Sequence, residues 1–326
     1  MKKVVFIGHV DTGKSTLYGH ILYKSGYVTD HELDKIETQA LKDKMGRWKW
    51  ARILDICQEE MERGKTHEYT EMEISLNGEN VSLIDTPGHQ SFVREMINGI
   101  SCHVKSAILM VSMIDNEFEA SFERGMLKEH ILLARCAGII NFIVVANKMD
   151  VIEWNQDKMN QKIEKVLEYL KNIGCNSDRI HIVALDSFNG TGIDSMDKIP
   201  SWYQGKTLFE TISNLPTPPN KAFVKDEVEG NKFVVNFTLF KLPESIPVVS
   251  AGFECIMHYG GYGDKNGKEC EIDLLKIEKS RMLKKNESRK ILIKTKNIIN
   301  VGINSRIILR HNVDTLGYGT ILKVYQ

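Results

Sequence analysis

Three short segments carry side chains whose types and order suit the handling of a nucleoside triphosphate. Gly8-His9-Val10-Asp11-Thr12-Gly13-Lys14-Ser15 has the spacing G-x-x-x-x-G-K-[ST]. It follows an apolar run, Val4 to Ile7, and precedes a helix-compatible stretch from near Thr16. Glycines let backbone N–H groups turn inward around phosphate oxygens, and the N-terminal end of the next helix adds positive potential. Lys14 is expected to reach the β- and γ-phosphates and the Ser15 hydroxyl to ligate Mg²⁺. Val10, Asp11, Thr12, Gly13 and Thr16 complete the expected phosphate contacts.

Asp85-Thr86-Pro87-Gly88 ends a second apolar run, Val81 to Ile84. An acid at that place is expected to hold the Mg²⁺ shell, through water, and the Gly88 N–H to approach the γ-phosphate. Asn147-Lys148-Met149-Asp150 ends a third run, Phe142 to Ala146. A carboxylate at Asp150 can accept from guanine N1–H and its 2-amino group, a donor pair that adenine lacks. This segment opposes an ATP-dependent reading and predicts GTP and GDP as ligands.

These segments need elements to position them, and the pattern supplies a strand–helix alternation. Ala107 to Val111 and Ile180 to Leu185 are further apolar runs; Leu127 to Cys136 and Met159 to Ile173 are amphipathic. Unbroken apolar strands alternating with helices predict an α/β fold with a mostly parallel sheet covered on both faces. After the helix Thr207 to Asn214, the cluster Leu215-Pro216-Thr217-Pro218-Pro219 reads as a linker. Beyond it strand-like runs dominate: Phe233 to Phe240, Gly252 to His258, Glu271 to Ile277, Lys290 to Thr295, Ser305 to Arg310 and Gly319 to Val324. They predict an antiparallel barrel or sandwich. The expected units are residues 1–215, a linker at 216–222, and 223–326.

Taken together these residues resemble the translational GTPases. His89, directly after Gly88, is similar to the histidine that positions the attacking water in the elongation factor Tu and elongation factor 1-alpha group. Glu60-Met61-Glu62-Arg63-Gly64-Lys65-Thr66 resembles switch I, which implies Thr66 as an Mg²⁺ ligand in the GTP state. Trp48 to Asp55 looks like the branch containing elongation factor 1-alpha, the class-II release factor and the ribosome-rescue GTPases. Asp186, Ser187 and Phe188, before Asn189-Gly190, resemble the loop that closes on guanine. Ser250-Ala251-Gly252-Phe253 and the final Leu309 to Ile321 are similar to the family's third domain, a β-barrel. No segment resembles its second domain. The resemblance implies hydrolysis of GTP, with the ribosome or tRNA as partner; ordinary aminoacyl-tRNA delivery is not expected of a chain without that domain. The alternative is a GTP-dependent interaction switch with slow hydrolysis and a non-ribosomal partner.

Lys65 stands where the family has isoleucine, and Asp186 where it has serine. With Val10, that isoleucine forms a gate over the histidine, so an altered basal rate is expected. The 43 basic and 43 acidic residues leave no net charge, which excludes a strong overall basic field. A lysine-rich stretch, Lys276 to Lys296, is either a solvated loop between strands or an RNA-facing patch. Trp48 and Trp50 are read as packing under switch I rather than base stacking, and His9, His130 and His258 as structural or surface residues. Six scattered cysteines have no zinc spacing and fit buried thiols in a cytoplasmic protein. No run is long enough to span a membrane, and a monomer is expected.

Overall fold

The computed structural model describes residues 1–42, 49–53, 70–85, 104–217, 227–242, 246–259 and 268–325. The first unit is an α/β layer structure around a six-stranded sheet of order β2-β3-β1-β4-β5-β6. Its strands are β1 (Lys2–Gly8), β2 (Thr70–Leu76), β3 (Glu79–Asp85), β4 (Ser106–Ser112), β5 (Asn141–Asn147) and β6 (Ile180–Ala184). β4 and β5 are buried at every position, as strands covered on both faces must be, and the apolar runs read from the sequence fall inside these strands. β2 was not expected. It pairs antiparallel with β3 through Asn77-Gly78, both with positive φ, which is hairpin-turn chemistry after the alternation Met72, Ile74, Leu76.

Helices cover the two faces. On one, α1 (Lys14–Lys24) and α6 (Leu208–Ser213) pack with Val4, Phe6, Ile108 and Val145. On the other, α4 (Leu127–Ala137) and α5 (Gln156–Asn172) pack with Val5, Ile7, Leu109 and Val144. The alternation of β1 therefore divides one strand between two cores. Further helical segments include α2 (Asp30–Lys42), residues 49–53 and the short α3 (Asp115–Phe118). Local chemistry sets the ends. Thr207 and Glu210 form a capping box on α6, the Asn155 side chain accepts from Lys158 N at 2.9 Å on α5, and α4 stops at Gly138 with φ 110°. α1 begins at Lys14, two residues earlier than Thr16.

The second unit is a closed antiparallel barrel, not a sandwich, of order β10-β12-β7-β14-β13-β9. Its strands are β7 (Glu227–Leu239), β9 (Glu254–Tyr259), β10 (Lys268–Ile277), β12 (Ser288–Gly302), β13 (Arg306–His311) and β14 (Asp314–Tyr325). The two-residue strands β8 (Val249–Ser250) and β11 (Met282–Leu283) pair beside it. Inward residues such as Phe233, Val235, Phe237, Ile291, Ile293 and Ile321 fill the lumen. Much of the lysine-rich stretch lies on β10 and β12 rather than in a loop between strands, in keeping with the strand-like runs Glu271 to Ile277 and Lys290 to Thr295. Only residues 214–226 separate α6 from β7, too few for another barrel. Among the described residues no helix is long and apolar enough to cross a membrane.

The two units meet along α4. Glu129, 8 % exposed, accepts from the backbone N–H of Thr315 at 2.7 Å and lies 3.4 Å from Lys241 and 3.9 Å from Arg310. Beside it the Arg306 guanidinium sits 3.7 Å over the Tyr318 ring, and Phe240 and Ile308 join the first unit's core. Glu129→Ala would leave the buried Thr315 N–H without its acceptor and remove a carboxylate from beside Lys241 and Arg310, which keep Asp314 and the Val313 carbonyl. It should cost about 3 kcal/mol, seen as a lower urea midpoint; an unchanged midpoint would contradict this role.

Candidate functional site

Residues 8–15, Asp85 and residues 147–150 lie at the carboxyl ends of β1, β3 and β5. There the strand order turns in opposite directions from β1, the place where open α/β sheets leave a ligand crevice. The loop from β1 to α1 is held by its own side chains. Thr12 Oγ1 donates to His9 O at 2.8 Å, and the Lys14 ammonium donates to Gly8 O at 3.0 Å and His9 O at 2.8 Å. Asp11 and Gly13 both have positive φ, 63° and 92°. A Cβ at Gly13 would lie 2.4 Å from Asn147 Nδ2, so glycine is required there for space as well as conformation. Lys14 is 8 % exposed; burial lowers its pKa, and Asp85 and Asp11 oppose that shift, which places both carboxylates within its field. Ser15 and Thr16 stand on the first turn of α1, half-buried, and Val10 is half-buried in the loop.

Asn147 is fully buried and joins two loops. Its Nδ2 donates to Thr12 O at 2.7 Å, and its Oδ1 accepts from Ser187 N at 3.0 Å. Its amide therefore positions loops, while the exposed Asp150 is left facing outward. Partial burial and the neighbouring Asp186 raise the Asp150 pKa. Lys148, at φ 64°, pairs with both Glu117 oxygens at 2.7 and 2.8 Å. Glu117 also accepts from Ser112 Oγ at 2.6 Å. No motif pointed to Glu117.

Asp186 has a structural reason to replace serine. Its Oδ1 accepts from Phe188 N at 2.9 Å and Asn189 N at 3.2 Å, and its Oδ2 accepts from the Asn189 amide. The carboxylate closes the turn on itself. Further out, His20 Nδ1 donates to Ser187 O at 2.9 Å, and its ring stacks on Trp50 at 3.8 Å. Trp50 Nε1 in turn donates to Phe188 O at 2.8 Å. Gly19 permits this approach, since a Cβ there would meet Trp50 O at 2.0 Å. Trp50 is thus a packing residue, as expected, and it ties the helical residues 49–53 to the loop of Phe188. His130 is fully buried near Lys14 and His9, and burial holds its pKa down to about 3.

Thr66, Gly88 and His89 lie outside the described residues, as do Trp48, Lys65, Cys57 and Cys102. The four described cysteines are free thiols, with pKa values raised by burial. Among the described residues no three His, Cys, Asp or Glu side chains gather as a metal cluster.

Residues 1–218 match the family model of the elongation factor Tu GTP binding domain. Elongation factor 1-alpha of Ignicoccus hospitalis is 39% identical over 225 residues, covering 68% of this chain and 51% of that protein. The Aspergillus oryzae elongation factor 1-alpha is 35% identical over 228 residues, 66% of this chain and 49% of its own. The chain spans about half the length of the relatives it matches. The S. cerevisiae Ski7 GTPase-like domain, solved with GDP and inorganic phosphate, superposes with a TM-score of 0.75 at 15% identity, over 98% of this chain and 97% of that one. That likeness concerns the fold.

Asn147→Ala would orphan a buried carbonyl and a buried N–H, and should lower stability by about 2–4 kcal/mol in urea unfolding. His20 gives a pH signature. Its pKa is depressed by burial to about 4, so between pH 6.5 and 4 the unfolded chain binds more protons than the folded one. The stability it confers is full above pH 6.5 and falls by roughly 3 kcal/mol as pH drops through that window. His20→Phe keeps a ring on Trp50 and removes the proton site. It should flatten the parent's loss of urea midpoint between pH 7 and 4.5, and identical slopes would exclude the assignment.

Proposed function

The chain belongs to the family of the elongation factor Tu GTP binding domain, and on that footing we propose that it hydrolyses GTP to GDP and phosphate, with Mg²⁺, as a translation-factor-like GTPase at or near the ribosome. The observation that carries this reading is the Asn147 amide. It holds the phosphate loop and the 186–190 loop at bonding distance on either side of one crevice, with Asp150 beside it.

Each residue then has a physical task. Lys14 already donates to two loop carbonyls and would exchange them for β- and γ-phosphate oxygens, a charge-assisted gain in a buried setting. The N–H groups from Asp11 to Thr16 surround the phosphates at the start of α1. Asp150 accepts from the guanine N1–H and 2-amino groups, its raised basicity favouring that role. The backbone of Ser187 and Phe188 closes over the base, positioned by Asp186. The Ser15 hydroxyl and Asp85 carboxylate are hard oxygen donors near Lys14 and would hold Mg²⁺, Asp85 through water, with Thr66 added in the GTP state. Bound there, the ion neutralises charge that develops on the transferring phosphoryl group. His89 orients the attacking water.

The barrel corresponds in this reading to the third domain of the elongation factors, joined directly to the GTP-binding unit. The proposed boundaries are 1–215 and 223–326. Without a second barrel the chain acts as a trimmed or regulatory factor rather than a carrier of aminoacyl-tRNA.

The test is GTP hydrolysis by the purified chain with and without ribosomes. The parent should be stimulated by ribosomes. His89→Ala should keep GDP affinity and lose most turnover. Asp150→Asn should weaken GTP by at least about a hundredfold, since an amide cannot accept both guanine donors. Lys65→Ile should change the basal rate. Slow turnover that ribosomes do not alter would replace this proposal with a GTP-gated switch acting on a non-ribosomal partner.

A further inference from the structure

We propose that the outer face of the barrel over β10, β12, β7 and β14 is a docking groove for an acidic, amphipathic segment of a partner protein. The groove has a volume of about 750 Å³. Its floor is apolar, made by Val234 and Leu292, and its rim carries Lys232, Lys276, Lys279 and Lys290. One acid, Glu278, lines it. Strand register makes this arrangement rigid. Lys276, Leu292, Val234 and Lys323 are successive cross-strand partners, and Lys294, Lys232 and Tyr325 form the row beside them. Across four strands at about 4.8 Å spacing, the apolar pair sits in the centre and lysines stand on both sides, roughly 14 Å apart.

Charge selects the occupant. The rim lysines are exposed and, among the described residues, make no ion pair, whereas Lys296 just outside is paired with Glu271. Carboxylates from a partner would find unpartnered ammonium groups around a surface that also takes apolar side chains. The barrel is closed, so no strand edge is free and the partner binds through its side chains rather than by adding a strand. RNA fits less well. The lining has no arginine to fork onto phosphate. Its one aromatic ring, Tyr325, is already faced by the Lys323 ammonium at 4.6 Å, which occupies the platform a base would stack on. The groove also lies roughly 30 Å along β14 from Thr315, where the barrel meets Glu129, so an occupant leaves the contact between the units free.

The experiment uses the full chain and a fluorescein-labelled synthetic helix with glutamates on one face and leucines on the other, read by anisotropy. A labelled oligouridylate is the comparison. Saturable peptide binding in the range of about 1–100 μM is expected. Lys276→Glu combined with Lys290→Glu should weaken it at least about tenfold and Leu292→Ser at least about threefold, while Lys171→Glu on α5 leaves it unchanged. GDP affinity should be the same in all four proteins. Should Leu292→Ser melt early, Val234→Ser on the neighbouring strand repeats the test of the floor. Absent binding, peptide binding insensitive to either the lysines or the floor, or displacement of the peptide by oligouridylate at lower concentration, each overturns the proposal.

Discussion

The buried amide of Asn147 is the constraint on which the first unit's geometry depends. Three loops leave the sheet at separate strands, and nothing in strand pairing alone fixes their relative heights. A side chain with one donor and one acceptor, held at the end of β5, fixes two of them at once. Because both partners are buried backbone groups, the alternative to this arrangement is two unsatisfied polar atoms rather than a water-filled gap. Gly13 is the complement. The same close approach that makes the hydrogen bond leaves no room for a Cβ opposite.

A second layer supports the first. His20, Trp50, Ser187 and Phe188 form a chain of contacts from α1 through residues 49–53 to the 186–190 loop. Two links pair a ring N–H with a backbone carbonyl, and the third is the stack of His20 on Trp50. Rings of this kind stiffen a loop at little entropic expense, since two torsions fix a large contact area. The 186–190 loop is thereby joined to residues 49–53.

Much of this was legible in the chain. The apolar runs before Gly8, Asp85 and Asn147 predicted strands, and each is one, because a strand buried on both faces has no polar positions to obscure it. What was not legible depends on contacts distant in sequence. Glu117 holds Lys148 from 31 residues away, and Trp50 meets Phe188 across 138. No local pattern encodes such pairs. Asp186 showed the limit of resemblance, since the sequence marks only its departure from serine and not the turn its carboxylate closes. β2 was missed although the Asn77-Gly78 hairpin signal was present. The lysine-rich stretch was harder to place because exposed charge is common to loops and to the outer face of a barrel, and the alternating Ile291, Ile293 and Thr295 are what mark the strand.

Glu129 and His130 are consecutive on α4. Neighbours on a helix project about 100° apart, so one short rod carries a side chain under the phosphate loop and the next against the barrel. The helix is in effect a shaft with a fixed key at each bearing. A substitution that rotates or shifts it by a fraction of a turn disturbs both bearings together. Changes in the barrel near Thr315 and changes beneath Lys14 are therefore mechanically linked and should combine non-additively, although no contact joins them directly.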